Sequence, residues 1–180
     1  MAAVKGAVIL AAGMGTRLRP ITETMPKCMT EVNGKPILIN ALSAMNRYGI
    51  EEVTVVVGYC GRAIIDALGE RFGGISINYL WNEIYAETNS MYSAWLARGV
   101  LEQGALLIEG DVLFDQQVLK LALEAPEYRD RSVWLADRFG PESEGSMSIS
   151  DRDGRITEVR IVREKLPEYR DNYHKSAGIV

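Results

Sequence analysis

Val8-Ile9-Leu10-Ala11-Ala12-Gly13-Met14-Gly15-Thr16-Arg17-Leu18 opens as an apolar run and breaks into small residues; Arg19-Pro20 and then Pro26-Lys27-Cys28-Met29 follow. The apolar part, Val4 to Ala11, reads as a strand buried on both faces, which places it centrally in a parallel sheet. Ala11, Ala12, Gly13 and Gly15 carry little side-chain bulk. The backbone there can approach a ligand closely and turn its N–H groups toward it. Arg17, Arg19 and Lys27 supply cations. Strand, small-residue loop and cations, in that order, are the local chemistry of a phosphate cradle.

The glycines alone say less. Gly13-Met14-Gly15-Thr16-Arg17-Leu18 matches the first two glycines of the dinucleotide fingerprint and has Leu18 in place of the third. The acidic residue which that fingerprint wants after a second strand is absent, and no Gly-Lys-Ser/Thr follows as in a Walker loop. An ordinary strand-to-turn junction would account for the glycines but not for the whole string. Leu10 to Leu18, Pro26-Lys27-Cys28-Met29 and Val32-Asn33-Gly34-Lys35-Pro36-Ile37-Leu38 together resemble the signature of the nucleotidyltransferases that join a nucleoside triphosphate to a sugar phosphate or alcohol phosphate. The resemblance covers nearly all of the chain and is strongest before Leu42. It implies an α/β fold: a three-layer, open, mostly parallel twisted sheet flanked by helices, Rossmann-like and of the nucleotide-diphospho-sugar transferase (GT-A) type.

Composition agrees with a globular protein. The chain has 180 residues, long enough for a real core, and the expected organisation is a single domain over 1–180. A net charge of −4 leaves no basic stripe for a nucleic-acid backbone. Cys28 and Cys60 have no CxxC spacing and one histidine beside them, which excludes an ordinary zinc site and a disulfide framework. No signal-peptide layout opens the chain, and no run approaches the roughly 18 apolar residues of a membrane span. The expectation is a cytoplasmic protein.

Taken in order, Gly13 to Lys27 reads as a loop that Pro20 and Pro26 keep from becoming a helix. Lys35-Pro36 opens a predicted helix carrying Ile37, Leu38, Ala41, Leu42, Met45 and Tyr48, closed by Gly49. Val53 to Val57 is a second buried strand ended by Gly58. Gly61 to Phe72 reads as a helix with Ile64, Ile65 and Leu68 inward, Gly73-Gly74 as a turn, and Ile75 to Leu80 as a third strand. This β-loop-α-β-α-β order implies a parallel sheet with right-handed crossovers. Ligands on such sheets sit beyond the carboxyl ends of the strands, where the glycine loop also lies.

Trp81 to Ser93 is the second informative stretch: it follows a strand and leads into a helix whose apolar face would hold Met91, Tyr92, Trp95, Leu96 and Val100. Thr88 or Asn89 suits its N-cap. A cap needs one such residue, and here several cluster, so the loop can also read a nucleotide base through Asn82, backbone around Ala86, Thr88, Asn89 and Ser90. Asn82, Tyr85 and Thr88-Asn89-Ser90-Met91-Tyr92-Ser93 resemble the Asn…Tyr…Thr-Asn-Asn-Ile-Tyr-Ser pattern of bacterial choline-phosphate cytidylyltransferases and their aminoethylphosphonate relatives. Ser90 departs from it where a second asparagine stands. The glutamine-and-proline loop of the sugar-phosphate branch is absent.

Gly104 to Glu109 is an apolar strand that ends in Glu109-Gly110-Asp111. A carboxylate at the rim of the sheet suits Mg²⁺, which takes oxygen donors and is often held by one or two carboxylates plus substrate phosphates. The resemblance gives that metal role to Asp111; Glu109 is a weaker second candidate, and Asp115 caps the next helix, to Glu124. Arg131 to Ala136 reads as a strand. Ser146 to Ser150 and Arg155 to Arg160 flank a hairpin turn at Asp151-Arg152-Asp153-Gly154. Leu166 to Tyr173 is polar, and Ser176 to Val180 begins another strand. Relatives run on beyond such a strand and supply a second acidic ligand, so the expectation is a chain truncated at this end or one lacking half of the metal site.

The reaction implied is substitution at the α-phosphorus of CTP by a phosphate or phosphonate oxygen of a small alcohol or amine, with pyrophosphate leaving. Amides of Leu10, Ala11, Ala12, Gly13, Met14, Gly15 and Thr16 would hold the triphosphate, Arg17 its β- and γ-phosphates, and Lys27 the α-phosphate and acceptor. Lys27, Arg17 and Asp111 are thus the expected catalytic set, with Mg²⁺ as cofactor. Trp81, Tyr92, Trp134, Tyr169 and Tyr173 are candidate walls for a quaternary ammonium, Asp137 or Glu109 for a primary one. His174 reads as surface. A sugar-phosphate or inositol-phosphate nucleotidyltransferase and a non-catalytic nucleotide-binding sensor stay open as alternatives.

Overall fold

The structure is a computed structural model that describes residues 4–124, 132–140, 142–143, 145–163 and 170–180. The chain divides into two compact units, Met1–Arg129 and Asp130–Val180. In the first, the elements are β1 (Gly6–Ala11), β2 (Glu31–Val32), β3 (Lys35–Pro36), α1 (Ile37–Arg47), β4 (Glu52–Val57), α2 (Gly61–Leu68), β5 (Arg71–Phe72), β6 (Ile75–Trp81), α3 (Ser90–Leu96), α4 (Arg98–Leu101), β7 (Ala105–Glu109) and α5 (Gln116–Glu124).

β1 lies between β4 and β7 and is parallel to both, with Gly6 opposite Glu52 on one side and Ala105 on the other. β6 extends the sheet beyond β4 in parallel, and β5 adds a short antiparallel edge. Apolar side chains on both faces of a strand require cover on both faces. Val8 and Val56 on one face pack with Ala97, Leu96, Val100 and Leu101 of the α3–α4 segment. Ala7, Ile9, Val55 and Ile108, on the other face, are fully or nearly fully buried too. The result is the mixed, mostly parallel sheet with flanking helices that the sequence implies.

Several local expectations change. Lys35–Pro36 is not helical: it pairs with Glu31–Val32 in a small hairpin, and Pro36 in extended geometry caps a helix that starts at Ile37. The helix from Gly61 stops at Leu68 because Gly69 takes φ +63°, after which Arg71–Phe72 turns back onto β6. The proposed helix through Val100 breaks at Ala97, and Met91 and Trp95, expected inside, are 74% and 52% exposed. Gly13 to Lys27 contains no α-helix but folds into 3-10 turns at Thr16–Leu18 and Ile21–Glu23, with a third at Lys27–Met29.

The second unit is antiparallel. β8 (Leu135–Arg138) pairs with β11 (Tyr173–Ile179), which pairs with β9 (Gly145–Ser150), and β9 pairs with β10 (Ile156–Val162) across the expected turn. Phe139, Met147 and Val162 form its buried centre. β8 starts later than the Arg131–Ala136 strand read from sequence, and Arg131 lies outside the described residues, as do residues 166–169 of the Leu166–Tyr173 segment. His174 is half-buried, its Nε2 within 2.9 Å of the Ser150 hydroxyl.

Candidate active site

Beyond the carboxyl ends of β1, β6 and β7 lies a cleft of about 260 Å³. Its geometry starts from two glycines that let neighbouring strand ends close on β1. The Gly110 N–H donates to the Leu10 carbonyl at 2.8 Å, and a Cβ on Gly110 would stand 2.8 Å from that same oxygen. A Cβ on Gly58 would stand 2.9 Å from the Ala12 carbonyl oxygen and from Tyr85 Cβ. No ordinary side chain fits either position.

Past Ala12 the loop turns at Gly15, which takes φ +60° and passes Lys27 so closely that a Cβ would meet Lys27 Cβ at 3.0 Å. The buried Thr22 hydroxyl donates to the Gly15 carbonyl at 2.8 Å. The Tyr59 hydroxyl, from the turn after β4, lies 3.0 Å from the Thr22 carbonyl and 2.7 Å from that of Glu23. The loop is therefore tied at both its bend and its return.

Leu10, Ala11, Ala12, Gly13 and Gly15 line the cleft together with Arg17 and Lys27. Met14 and Thr16 stand beside it rather than in its wall, Thr16 being the exposed first residue of a 3-10 turn. Across the cleft the Lys27 ammonium is ion-paired with the Asp111 carboxylate. Glu109 lines the same wall, and its carboxyl is held above its usual range by burial first and by the Asp111 charge second, with Lys27 opposing. Two carboxylates that repel one another and present only hard oxygens suit a divalent cation completed by phosphate oxygens. Among the described residues no group of three or more His, Cys, Asp or Glu residues gathers to hold a metal by itself. Buried Cys28 also borders the cleft; desolvation pushes its thiol up to about 12, so it stays a thiol.

The remaining wall comes from the 82–93 segment. Thr88 donates its hydroxyl proton to the Ile84 carbonyl at 2.9 Å, so it can only accept from Asn82. Asn82 Nδ2 accordingly donates to Thr88 Oγ1 and to Ser93 Oγ, both at 3.1 Å. This fixes the amide's orientation and leaves Asn82 Oδ1 buried with no partner. Asn89 lines the cleft while its Oδ1 caps α3 by accepting from the Met91 N–H at 3.0 Å. Ser90 is in the wall and Ala86 is not.

Tyr85, Ser93 and Gly110 complete the lining without having been singled out as site residues from sequence. The Asn…Tyr…Ser pattern held the signal for the first two. Of the proposed aromatic walls, Trp81 and Tyr92 are not in the lining of the cleft. Tyr92 stacks on Trp95 at 5.6 Å and the Arg98 guanidinium covers that indole at 4.2 Å, while Trp81 packs beside Gly61. Trp134, Asp137 and Tyr173 belong to the second unit, and Tyr169 lies outside the described residues. Among the described residues no helix is long and apolar enough to cross a membrane.

The chain is 38% identical over 152 residues to the CMP-5'-(3-aminopropyl)phosphonate synthase of Streptomyces rubellomurinus, covering 84% of this chain and 24% of that one. It is 38% identical over 168 residues to the 2-aminoethylphosphonate cytidylyltransferase of Lancefieldella rimae, covering 88% of this chain and 65% of that one. It therefore spans from about a quarter to about two thirds of the length of these curated relatives. The solved CTP:phosphocholine cytidylyltransferase of Streptococcus pneumoniae superposes with a TM-score of 0.74 at 25% identity, over 99% of this chain and 70% of that one. The nucleotidyl transferase family model matches residues 6–177, from the first strand to the last, and the chain belongs to that family.

Proposed function

We propose that the cleft binds CTP and transfers its CMP to a small phosphate- or phosphonate-bearing alcohol or amine, releasing pyrophosphate. The observation that carries this reading is the meeting, in one cleft, of the glycine loop, the Lys27–Asp111 pair and a buried, unpartnered Asn82 carbonyl oxygen. The relatives named above use CTP-derived groups on phosphonate or phosphocholine acceptors, which supports the same class.

In the transfer, an oxygen of the acceptor's phosphate or phosphonate bonds to the α-phosphorus and the bond to the β-phosphate oxygen breaks. That nucleophile is anionic at neutral pH, so no side chain need remove a proton. The protein's task is to bring polyanions together and neutralise the charge that shifts to the leaving group. Backbone from Ala11 to Gly15 receives the triphosphate, Arg17 pairs with the leaving phosphates, and Lys27 swings from Asp111 to the α-phosphate and acceptor. Asp111, with Glu109 beside it, would hold Mg²⁺, which supplies further charge neutralisation on the phosphates when bound. Asn82 Oδ1 accepts from the base; the cytosine 4-amino group is the donor that matches.

Pyrophosphate release from the intact chain, with each of the four ribonucleoside triphosphates against phosphocholine, 2-aminoethylphosphonate, inositol 1-phosphate and glucose 1-phosphate, tests the reading. Turnover with CTP and an amino-alcohol acceptor supports it. Turnover confined to glucose 1-phosphate, or CTP binding without turnover on any acceptor, overturns it.

A further inference from the structure

β10 is the outer strand of the second unit: it pairs with β9, and among the described residues no strand pairs with its other edge. Such an edge presents a row of backbone N–H and C=O groups to any strand that meets it. Two of its apolar side chains, Val159 and Ile161, are 51% and 64% exposed and, being two apart, share a face. Opposite them, on the face of Met147 and Ile149, Arg160 forks onto Glu158 with Nε–Oε1 at 2.5 Å and Nη2–Oε2 at 2.8 Å.

The order of these residues is self-complementary. When Thr157-Glu158-Val159-Arg160-Ile161 is laid antiparallel to itself about Val159, Glu158 faces Arg160 twice, Thr157 faces Ile161 twice, and Val159 faces Val159. One face gains two cross-strand ion pairs and the other gathers the exposed apolar side chains. Moving the two-fold axis by one residue would set Glu158 against Glu158 or Arg160 against Arg160, and a parallel in-register pairing would do both. The charges therefore select one arrangement as well as permitting it. The register with β9 slips at Thr157, between Ile156 and Glu158, and from Glu158 to Val162 β10 pairs with β9 residue for residue.

We infer that β10 is the docking edge for a second copy of this chain, forming a two-fold antiparallel strand pair centred on Val159. The pairing is isologous, so it closes at the dimer. The interface is short, which places it in the weak, concentration-dependent class. The Arg160–Glu158 contact within each chain is exchanged for the same contact between chains.

Sedimentation of the intact chain from micromolar to sub-millimolar concentration tests this, with circular dichroism to establish folding of each variant. The wild-type chain is expected to pass from monomer to dimer as concentration rises. Glu158→Arg and Arg160→Glu each set like charges opposite one another and are expected to weaken self-association by at least about tenfold. Mixing these two variants restores opposite charges at both positions and is expected to return dimer of mixed composition. The double variant carrying both changes keeps the complement reversed and is expected to associate as the wild type does. A wild-type chain that stays monomeric throughout overturns the inference. So does a dimer unaffected by either single change, or folded single variants that fail to associate when mixed.

Discussion

The Lys27 ammonium and the Asp111 carboxylate, 84 positions apart in sequence, are joined across the mouth of the cleft. The pair is partly open to solvent, at 29% and 31% side-chain exposure. Ion pairs exposed to that degree contribute at most about 1 kcal/mol to stability. The two groups proposed to meet phosphate and metal thus neutralise each other in this structure. Lys27→Ala is expected to lower kcat/KM by about 10²-fold or more. Its Tm should fall by no more than about 2–4 °C. Steady-state kinetics beside thermal melts separate the two, and a folded variant with wild-type turnover would remove Lys27 from the chemistry.

Asn82 owes its orientation to Thr88, whose proton is committed to the Ile84 carbonyl. Thr88→Val removes that acceptor and one of the two bonds that hold the amide. We expect a stability loss of about 1 kcal/mol. Asn82→Ala removes the carbonyl oxygen itself, and discrimination between CTP and UTP should shrink by at least about tenfold. Competition kinetics with the two triphosphates provides the measurement, and unchanged discrimination in Asn82→Ala would detach Asn82 from base reading.

Gly110 and Gly99 form a matched pair of opposites. A methyl on Gly110 would meet the Leu10 carbonyl at 2.8 Å, whereas one on Gly99 meets nothing within 4 Å. Gly110→Ala is expected to cost about 1–3 kcal/mol, because the backbones of β1 and β7 must part. Gly99→Ala, inside α4, should be neutral or stabilising by up to about 1 kcal/mol. Urea unfolding midpoints decide both, and equal midpoints would mean that the close approach at Gly110 is not limiting.

Burial holds the Cys28 thiol well above its ordinary value of 9.0, at about 12. The folded chain therefore keeps a proton that the unfolded chain gives up first. Its contribution to stability is intact below pH 9 and is lost progressively as pH rises toward 12. Cys28→Ala should flatten the decline of unfolding free energy over that window. At neutral pH a thiol reagent should label half-buried Cys60 and spare Cys28 until the chain unfolds.

Much of this was readable from the chain because it rests on local pattern. The apolar run at Val8, the β-branched run from Val53 to Val57, and the Ala11-to-Gly15 bend point to a central parallel strand with a ligand loop at its end. What the pattern could not supply are partners distant in sequence. Nothing in Gly110-Asp111 says that this glycine closes on Leu10, or that the aspartate meets Lys27. Pro36 looks like a first-turn helical residue until Glu31 pairs with it. Met91 and Trp95 have core spacing, yet α3 turns Ser93 inward instead, where its hydroxyl receives the Asn82 amide. The Thr88–Asn89 cluster carried two meanings at once. Asn89 caps the helix, Thr88 aims Asn82, and the buried oxygen left without a partner is that of Asn82.

Gly6, Glu52 and Ala105 stand side by side, so β1, β4 and β7 rise from a common level. At this rim, opposite the cleft, the Lys5 ammonium donates to Glu51 at 2.5 Å, and neither residue is in the lining of the cleft. The two rims can therefore diverge separately. Connections at the lower one can be lengthened, recharged or fused to other modules while the upper one keeps its spacing, so a lineage could change what this scaffold is attached to without reshaping the cleft.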